Sequence, residues 1–190
     1  MKLEVIGITG KAGSGKDTLA EILINLSKSE MIRYSFADPV KEAAAAMFGI
    51  PIDSFYCRVT KEIPNPKWGI SPRKMAQLVG TDMARDVFDK NIWLRRAEVG
   101  IDYYADRSPW LKFVVIPDVR FENEADFIRK HNGKLIHITR PDQEVIQESD
   151  HASEQGVTFQ KGDIEFINGA SLGELEILAK SFYLHEIKKG

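Results

Sequence analysis

The chain has 190 residues, 43% hydrophobic and 28% charged, with a formal net charge of −2. That length suits one compact domain with a sizeable core, and the near-neutral balance argues against a dedicated binder of nucleic-acid polymers. Its one cysteine, Cys57, excludes an internal disulfide and fits the reducing cytoplasm, and no run approaches the roughly 20 apolar residues of a membrane span.

Leu3 to Ile8 reads as a buried strand, with the β-branched residues Val5, Ile6 and Ile8. Gly10-Lys11-Ala12-Gly13-Ser14-Gly15-Lys16-Asp17-Thr18 follows, and Leu19 to Ile24 then carries apolar residues at helical spacing. Strand, glycine loop and helix in that order make a phosphate-binding loop. The glycines let successive backbone N–H groups turn inward on an anion, and the helix start adds its positive dipole end. Lys16 supplies a cation that can follow charge on the β- and γ-phosphates. A nucleoside triphosphate is the expected ligand. The G-x-x-x-x-G-K-[S/T] pattern has one departure: Asp17 stands at the hydroxyl position and Thr18 one place later. Asp17 either holds a metal through water or caps the helix.

Met31 to Phe36 reads as a second strand, and Asp38-Pro39 as N-cap and first residue of a helix reaching Phe48. Asp38 is either that cap alone or, with Phe36 and Lys41, a ligand at a strand's carboxyl end. Residues 57–71 are irregular, broken by Pro64, Pro66 and Gly69, and form either a solvated connection or a substrate-covering segment. Ser71-Pro72-Arg73 starts a helix that Gly80-Thr81 is expected to interrupt, and another begins at Asn91-Ile92-Trp93. Arg73 and Arg85 suit a phosphate through their guanidinium forks, or form surface ion pairs.

Leu111 to Ile116 is the most apolar strand, and it leads into Pro117-Asp118-Val119-Arg120. An apolar strand ending in Asp has the form of a Walker B carboxylate holding a magnesium-bound water. A helix to Lys130, a strand over Lys134–Thr139, a strand over Asp163–Ile167 and a closing helix over Ser171–Ile187 complete the chain. Between the last two strands, Arg140 and the polar stretch with His151 and Glu154 suggest a short lid that excludes water.

Taken together, these segments resemble the bacteriophage deoxynucleoside monophosphate kinases. The resemblance rests on the Gly-Lys-Asp-Thr ending of the phosphate loop, Phe36-Ala37-Asp38-Pro39-Val40-Lys41, and Ser71-Pro72-Arg73 through Gly80-Thr81. It continues in Arg85-Asp86, Ile92-Trp93, Asp118-Val119-Arg120-Phe121-Glu122-Asn123-Glu124 and His151-Ala152-Ser153-Glu154. It implies an α/β fold, the three-layer αβα sandwich of P-loop NTPases with a central parallel sheet. One domain over 1–190 would carry a helical monophosphate-binding excursion at about 57–108 and a lid at about 140–160.

The activity implied is transfer of the ATP γ-phosphoryl group to a deoxynucleoside 5′-monophosphate, with Mg²⁺. ATP would be held by Lys11, Gly13, Ser14, Gly15, Lys16, Asp17 and Thr18. The monophosphate falls to Phe36, Asp38, Lys41, Arg73, Gln77, Thr81, Arg85, Asp86, Trp93, Asp118, Arg120 and Glu122. Metal ligands would come from Asp17, Thr18 and Asp118. Lys16, Arg120 and Arg140 would be the catalytic cations, and Arg140, His151 and Glu154 the lid residues. Such enzymes are commonly homodimers, and a phage-encoded one would work in its host's cytoplasm. Two other readings stay open. A small-metabolite P-loop kinase, of phosphomevalonate or dephospho-coenzyme A type, shares the loop or the architecture. A non-catalytic nucleotide-binding module would bind ATP and transfer nothing.

Overall fold

Strands β1 (Glu4–Thr9), β2 (Met31–Arg33), β3 (Phe113–Val119), β4 (Lys134–Thr139) and β5 (Ile164–Ile167) pair in the order β2-β3-β1-β4-β5. Every pairing is parallel in the computed structural model, which describes residues 3–141, 156–169 and 171–188. Parallel neighbours need crossover connections, and helices supply them. The chain divides into two compact units, Met1–Tyr34 with Glu98–Gly190, and Ser35–Ala97.

The first unit holds the sheet. On one face Ile6, Ile8, Val115, Ile136 and Ile138 pack against Leu19 and Leu23 of α1 (Lys16–Leu26). Leu175, Ala179 and Phe182 of the last helix, Leu172–Phe182, join the same cluster. On the other face Ile128 of the helix Glu122–Lys130 closes on Gly7, Leu135 and Val119. With helices on both faces the strands are apolar throughout, which is why β1 and β3 read as unbroken runs rather than alternating ones. Each fully buried aliphatic side chain here contributes on the order of 1.5–3 kcal/mol. The sheet is the middle of three layers.

β2 stops at Arg33 instead of reaching Phe36. Tyr34 N–H still donates to Val115 O (2.9 Å), and the chain then turns into a helix. β3 runs past Ile116 to Val119, two residues further than Pro117 would ordinarily allow. The register explains this: β2 last pairs β3 at Val115, and the β1–β3 register shifts between Gly7 and Thr9, so Pro117 and Asp118 fall in a bulge. A proline without an N–H breaks no ladder bond there.

The second unit contains α2 (Ala37–Phe48), α3 (Asp53–Tyr56), a 3₁₀ turn at Thr60–Glu62, and α4 (Pro72–Gln77). It ends within α5 (Ile92–Arg107). Ala44, Phe55, Met75 and Val79 form its core. Asp38 does not cap α2, because Phe36 already has helical backbone angles and the helix begins at Ala37. Pro39 is tolerated at the third position, where no intrahelical donor is yet required. Ser71 does cap α4, its Oγ accepting from Lys74 N–H (3.3 Å), with Pro72 as the first helical residue. Gly80-Thr81 does not interrupt the helix. The chain continues as a π-helical stretch over Leu78–Phe88, and Asp89 N–H closes it on Ala84 O (3.0 Å). Gly80 serves close packing: a Cβ there would lie 2.7 Å from Val40 Cγ1. Trp93 Nε1 donates to Gly80 O (2.8 Å), pinning α5 to this stretch. Within the irregular segment, Trp68 packs edge-on against Phe48 at 5.1 Å and donates Nε1 to Phe48 O (3.1 Å).

α6 (Glu122–Lys130) and α7 (Leu172–Phe182, continuing π-helical to Ile187) complete the fold. Among the described residues no helix is long and apolar enough to cross a membrane.

Candidate active site

β1 delivers the chain to the phosphate loop at Thr9, and the loop's shape depends on residues with positive φ. Gly10, Gly13 and Gly15 have φ of 152°, 80° and 103°. Gly15 is the left-handed N-cap of α1, and a Cβ on it would stand 2.7 Å from Asn168 Nδ2. Ser14 N–H donates to Lys11 O (3.2 Å), and Lys16 Nζ donates to Gly10 O (2.6 Å) and Lys11 O (2.7 Å). The lysine and the loop therefore fix one another. Ser14 Oγ is enclosed and has no hydrogen-bond partner among the described residues. Lys11 and Gly13 are exposed at the rim, and Thr18 is half-buried in the first turn of α1. Gly15→Ala is expected to cost about 1–3 kcal/mol through backbone strain. The check is a lower denaturant midpoint at unchanged slope, and an unchanged midpoint would contradict it.

Asp17 neither caps α1 nor stands alone. It lies in the helix's first turn and its Oδ1 accepts from Arg33 Nη2 (2.6 Å) at the end of β2. Asp118 is half-buried in the β3 bulge, and its neighbour Val119 pairs with Thr9, the residue before Gly10. The sheet thus sets Asp118 beside the root of the phosphate loop. Arg120 is exposed just beyond it. Its backbone N–H and that of Phe121 donate to Glu124 Oε2 (2.8 and 3.1 Å). Glu124, only 4% exposed, holds the start of α6 and so the path of Asp118-Val119-Arg120. The glutamate three residues after Phe121 was the visible signal for this, though no role had been expected of it.

Glu122 Oε1 accepts from Thr158 N–H (2.6 Å). That hydrogen bond, with smaller help from Arg129 and His137, outweighs partial burial and holds the Glu122 carboxyl below its ordinary range. Next to it lies a hub not anticipated from sequence. Asp163, its side chain 4% exposed, accepts from Arg129 Nη2 (2.6 Å) and Nε (3.1 Å), and from Gln160 N–H (2.9 Å). His137 Nε2 lies 2.9 Å from the same carboxylate, and its ring packs on Phe159 at 5.0 Å. Burial pushes the Asp163 carboxyl up, but these hydrogen bonds outweigh it and leave it below the ordinary value. The hub fastens residues 158–163 to β4 and α6. Arg140 is exposed just after β4; His151 and Glu154 lie outside the described residues.

In the second unit, Asp38 Oδ1 accepts from Tyr56 Oη (2.9 Å) and Lys41 Nζ (3.3 Å), and Lys41 sits 4.1 Å above the Tyr56 ring. Phe36 is buried, Gln77 and Thr81 are half-buried, and Asp86 is exposed. Arg73 is exposed and pairs with Glu62 (2.8 Å), whereas Arg85 on the π-helical stretch is 8% exposed. Trp93 is occupied in holding Gly80.

A phosphate loop of this kind binds its nucleotide together with a magnesium ion. Among the described residues no group of three or more His, Cys, Asp or Glu could hold a metal by itself. Mg²⁺ bound with a nucleotide needs no such cage, because one or two carboxylates plus phosphate oxygens and waters suffice. Asp118, Asp17 and the Thr18 hydroxyl are the donors beside the loop, and they fit that sparse set.

The profile of the deoxynucleotide monophosphate kinase family matches residues 52–178. A protein of Acanthamoeba polyphaga mimivirus is 38% identical over 180 residues, which are 90% of this chain and 91% of that one. A deoxynucleoside-5′-monophosphate kinase of Escherichia phage T5 is 28% identical, over 86% of this chain and 89% of its own length. The deoxynucleotide monophosphate kinase of Enterobacteria phage T4 is 22% identical over 91% of this chain and 95% of its own. A solved structure from Chloroflexus aurantiacus shares the fold, with a TM-score of 0.50 over 97% of this chain and 96% of that one, at 11% identity. A match across two thirds of the sequence, with full-length relatives, places this chain in the deoxynucleotide monophosphate kinase family.

Proposed function

We propose that this enzyme transfers the γ-phosphoryl group of ATP to a deoxynucleoside 5′-monophosphate, giving ADP and the diphosphate, in the cytoplasm of a host cell. The observation that carries the reading is the extent of the relatedness. The mimivirus relative matches along 90% of the chain, so the likeness takes in most of the second unit and reaches far beyond a phosphate loop that many kinases share. Both units then belong to one kinase domain.

The acceptor is a phosphate oxygen whose second pKa is roughly 6, so it is largely ionised at neutral pH and needs no strong general base. Rate then comes from alignment and charge neutralisation. The phosphate loop, with Lys11, Gly13, Ser14, Gly15 and Thr18, holds the triphosphate, and Lys16 follows the moving phosphoryl group. Arg120 and Arg140 supply further positive charge at the transfer point. Asp38, Lys41, Arg73 and Arg85 hold the monophosphate, with Phe36, Gln77, Thr81, Asp86 and Trp93 around it. Asp118, Asp17 and Thr18 would hold the magnesium ion. That ion would neutralise charge shared by the β- and γ-phosphates.

Arg73 gives a clean test of the acceptor side. Its pair with Glu62 is exposed, so Arg73→Ala should leave the melting midpoint nearly unchanged. It should raise the KM for the monophosphate about tenfold or more, as loss of a charged hydrogen bond does. An unchanged KM would remove Arg73 from the site. For the function itself, saturation is measured with each deoxynucleotide, with dephospho-coenzyme A and with phosphomevalonate. Saturable turnover with a deoxynucleotide alone supports the proposal, and turnover with either metabolite alone would replace it.

A further inference from the structure

Asn168 stands one residue beyond β5 and touches the phosphate loop 154 positions earlier in the chain. Its backbone N–H donates to Thr139 O (2.8 Å), adding one rung to the β4–β5 ladder and fixing where the side chain begins. The residue is 5% exposed, and its Nδ2 donates to Ser14 O (2.9 Å). The same amide lies against Gly15, where a Cβ would meet Nδ2 at 2.7 Å. Two contacts of one amide thus converge on the peptide joining Ser14 to Gly15.

That peptide matters because it is planar and trans, so its C=O and N–H point in opposite directions. Anchoring the Ser14 carbonyl on Asn168 turns the Gly15 N–H away from Asn168. The N–H groups of the loop and the helix start are its means of gripping an anion. The buried amide donor also satisfies a carbonyl that would otherwise be enclosed without a partner.

We propose that Asn168 is a positioning residue for the triphosphate: it presets the Ser14–Gly15 peptide, and so the loop, before the nucleotide arrives. This rests on the reading of the loop as the ATP site. Its substrate class is a polyphosphate chain, with or without a nucleoside.

The test uses the full chain with Asn168→Ala and Asn168→Asp, the latter matched in shape but placing an acceptor against Ser14 O. For each, the ATP KM, the monophosphate KM and the inhibition constant of inorganic tripolyphosphate are measured. Asn168→Ala should weaken ATP and tripolyphosphate by the same factor, about tenfold for one lost hydrogen bond, with the monophosphate KM within twofold of wild type. Asn168→Asp should weaken both further. A fall in melting temperature with both constants unchanged would make the residue merely structural and overturn the proposal. Weakening of ATP with tripolyphosphate unaffected would overturn it too, since the contact would then be to the nucleoside. If Asn168→Ala does not fold, Asn168→Asp decides by the same two constants. Lys16→Ala is the control. Tripolyphosphate inhibition unchanged in that variant would sink the reading of the loop itself, whereas a defect there beside normal Asn168 variants sinks only this inference.

Discussion

Lys16→Ala is expected to lower kcat by about two to three orders of magnitude, the loss seen when one preorganised charge is removed from the centre of a reaction. The geometry makes this charge preorganised rather than merely nearby. Lys16 Nζ is held on Gly10 O and Lys11 O, so the ammonium is stationed at the loop's mouth before any phosphate arrives. Lys16→Gln, which keeps much of the length without the charge, should be nearly as impaired. The measurement is steady-state turnover at saturating ATP and monophosphate, with folding checked by thermal melting. Turnover within fivefold of wild type would show that the loop is not where the phosphoryl group moves.

The second large effect is on stability. Asp163→Ala should cost about 3 kcal/mol, because it leaves the half-buried Arg129 guanidinium and the His137 ring without the carboxylate they share. For a chain of this size that is a fall of about 6–12 °C in melting temperature. Lys112→Ala breaks an exposed pair with Glu30 and should cost about 1 kcal/mol at most. Equal shifts for the two variants would show that the hub carries no special weight.

The hub also predicts a pH dependence. The Asp163 carboxyl is below its ordinary value when folded, so its contribution is complete above the unfolded-state pKa, about 3.9. It is lost as pH falls below that through the folded-state value. Glu122, lowered chiefly by the Thr158 hydrogen bond, adds in the same direction. Wild type should therefore lose stability in acid more steeply than Asp163→Ala, which has already lost this contribution.

What could be read from sequence was what local chemistry encodes. The phosphate loop is a run of glycines that require positive φ; Ser71-Pro72 is a cap followed by a fixed φ; Lys134–Thr139 has both its expected ends, and the helix before it stops at Lys130 because Asn132-Gly133 follows. Gly80 misled because a glycine inside a helix reads as a break, whereas here it makes room for Val40. Asp38-Pro39 misled in the same way, since a cap signal and a first-turn aspartate look alike without backbone angles. The Asp17–Arg33 pair, the Asp163 hub and the reach of Asn168 to Ser14 join residues 16, 34 and 154 apart. Contacts at such separations are set by the sheet order and leave no pattern in either segment alone. The shape of the phosphate loop was therefore legible, and the groups that hold it in place were not.

Following the phosphorus separates transfer to a deoxynucleotide from every other fate of ATP. ATP labelled at the γ-phosphate is incubated with Mg²⁺, the enzyme and each deoxy- and ribonucleoside 5′-monophosphate in turn, and the products are separated. Label is expected in a deoxynucleoside diphosphate, in one-to-one ratio with ADP and dependent on the acceptor. Label released only as inorganic phosphate, or retained in ATP with every acceptor, would contradict it.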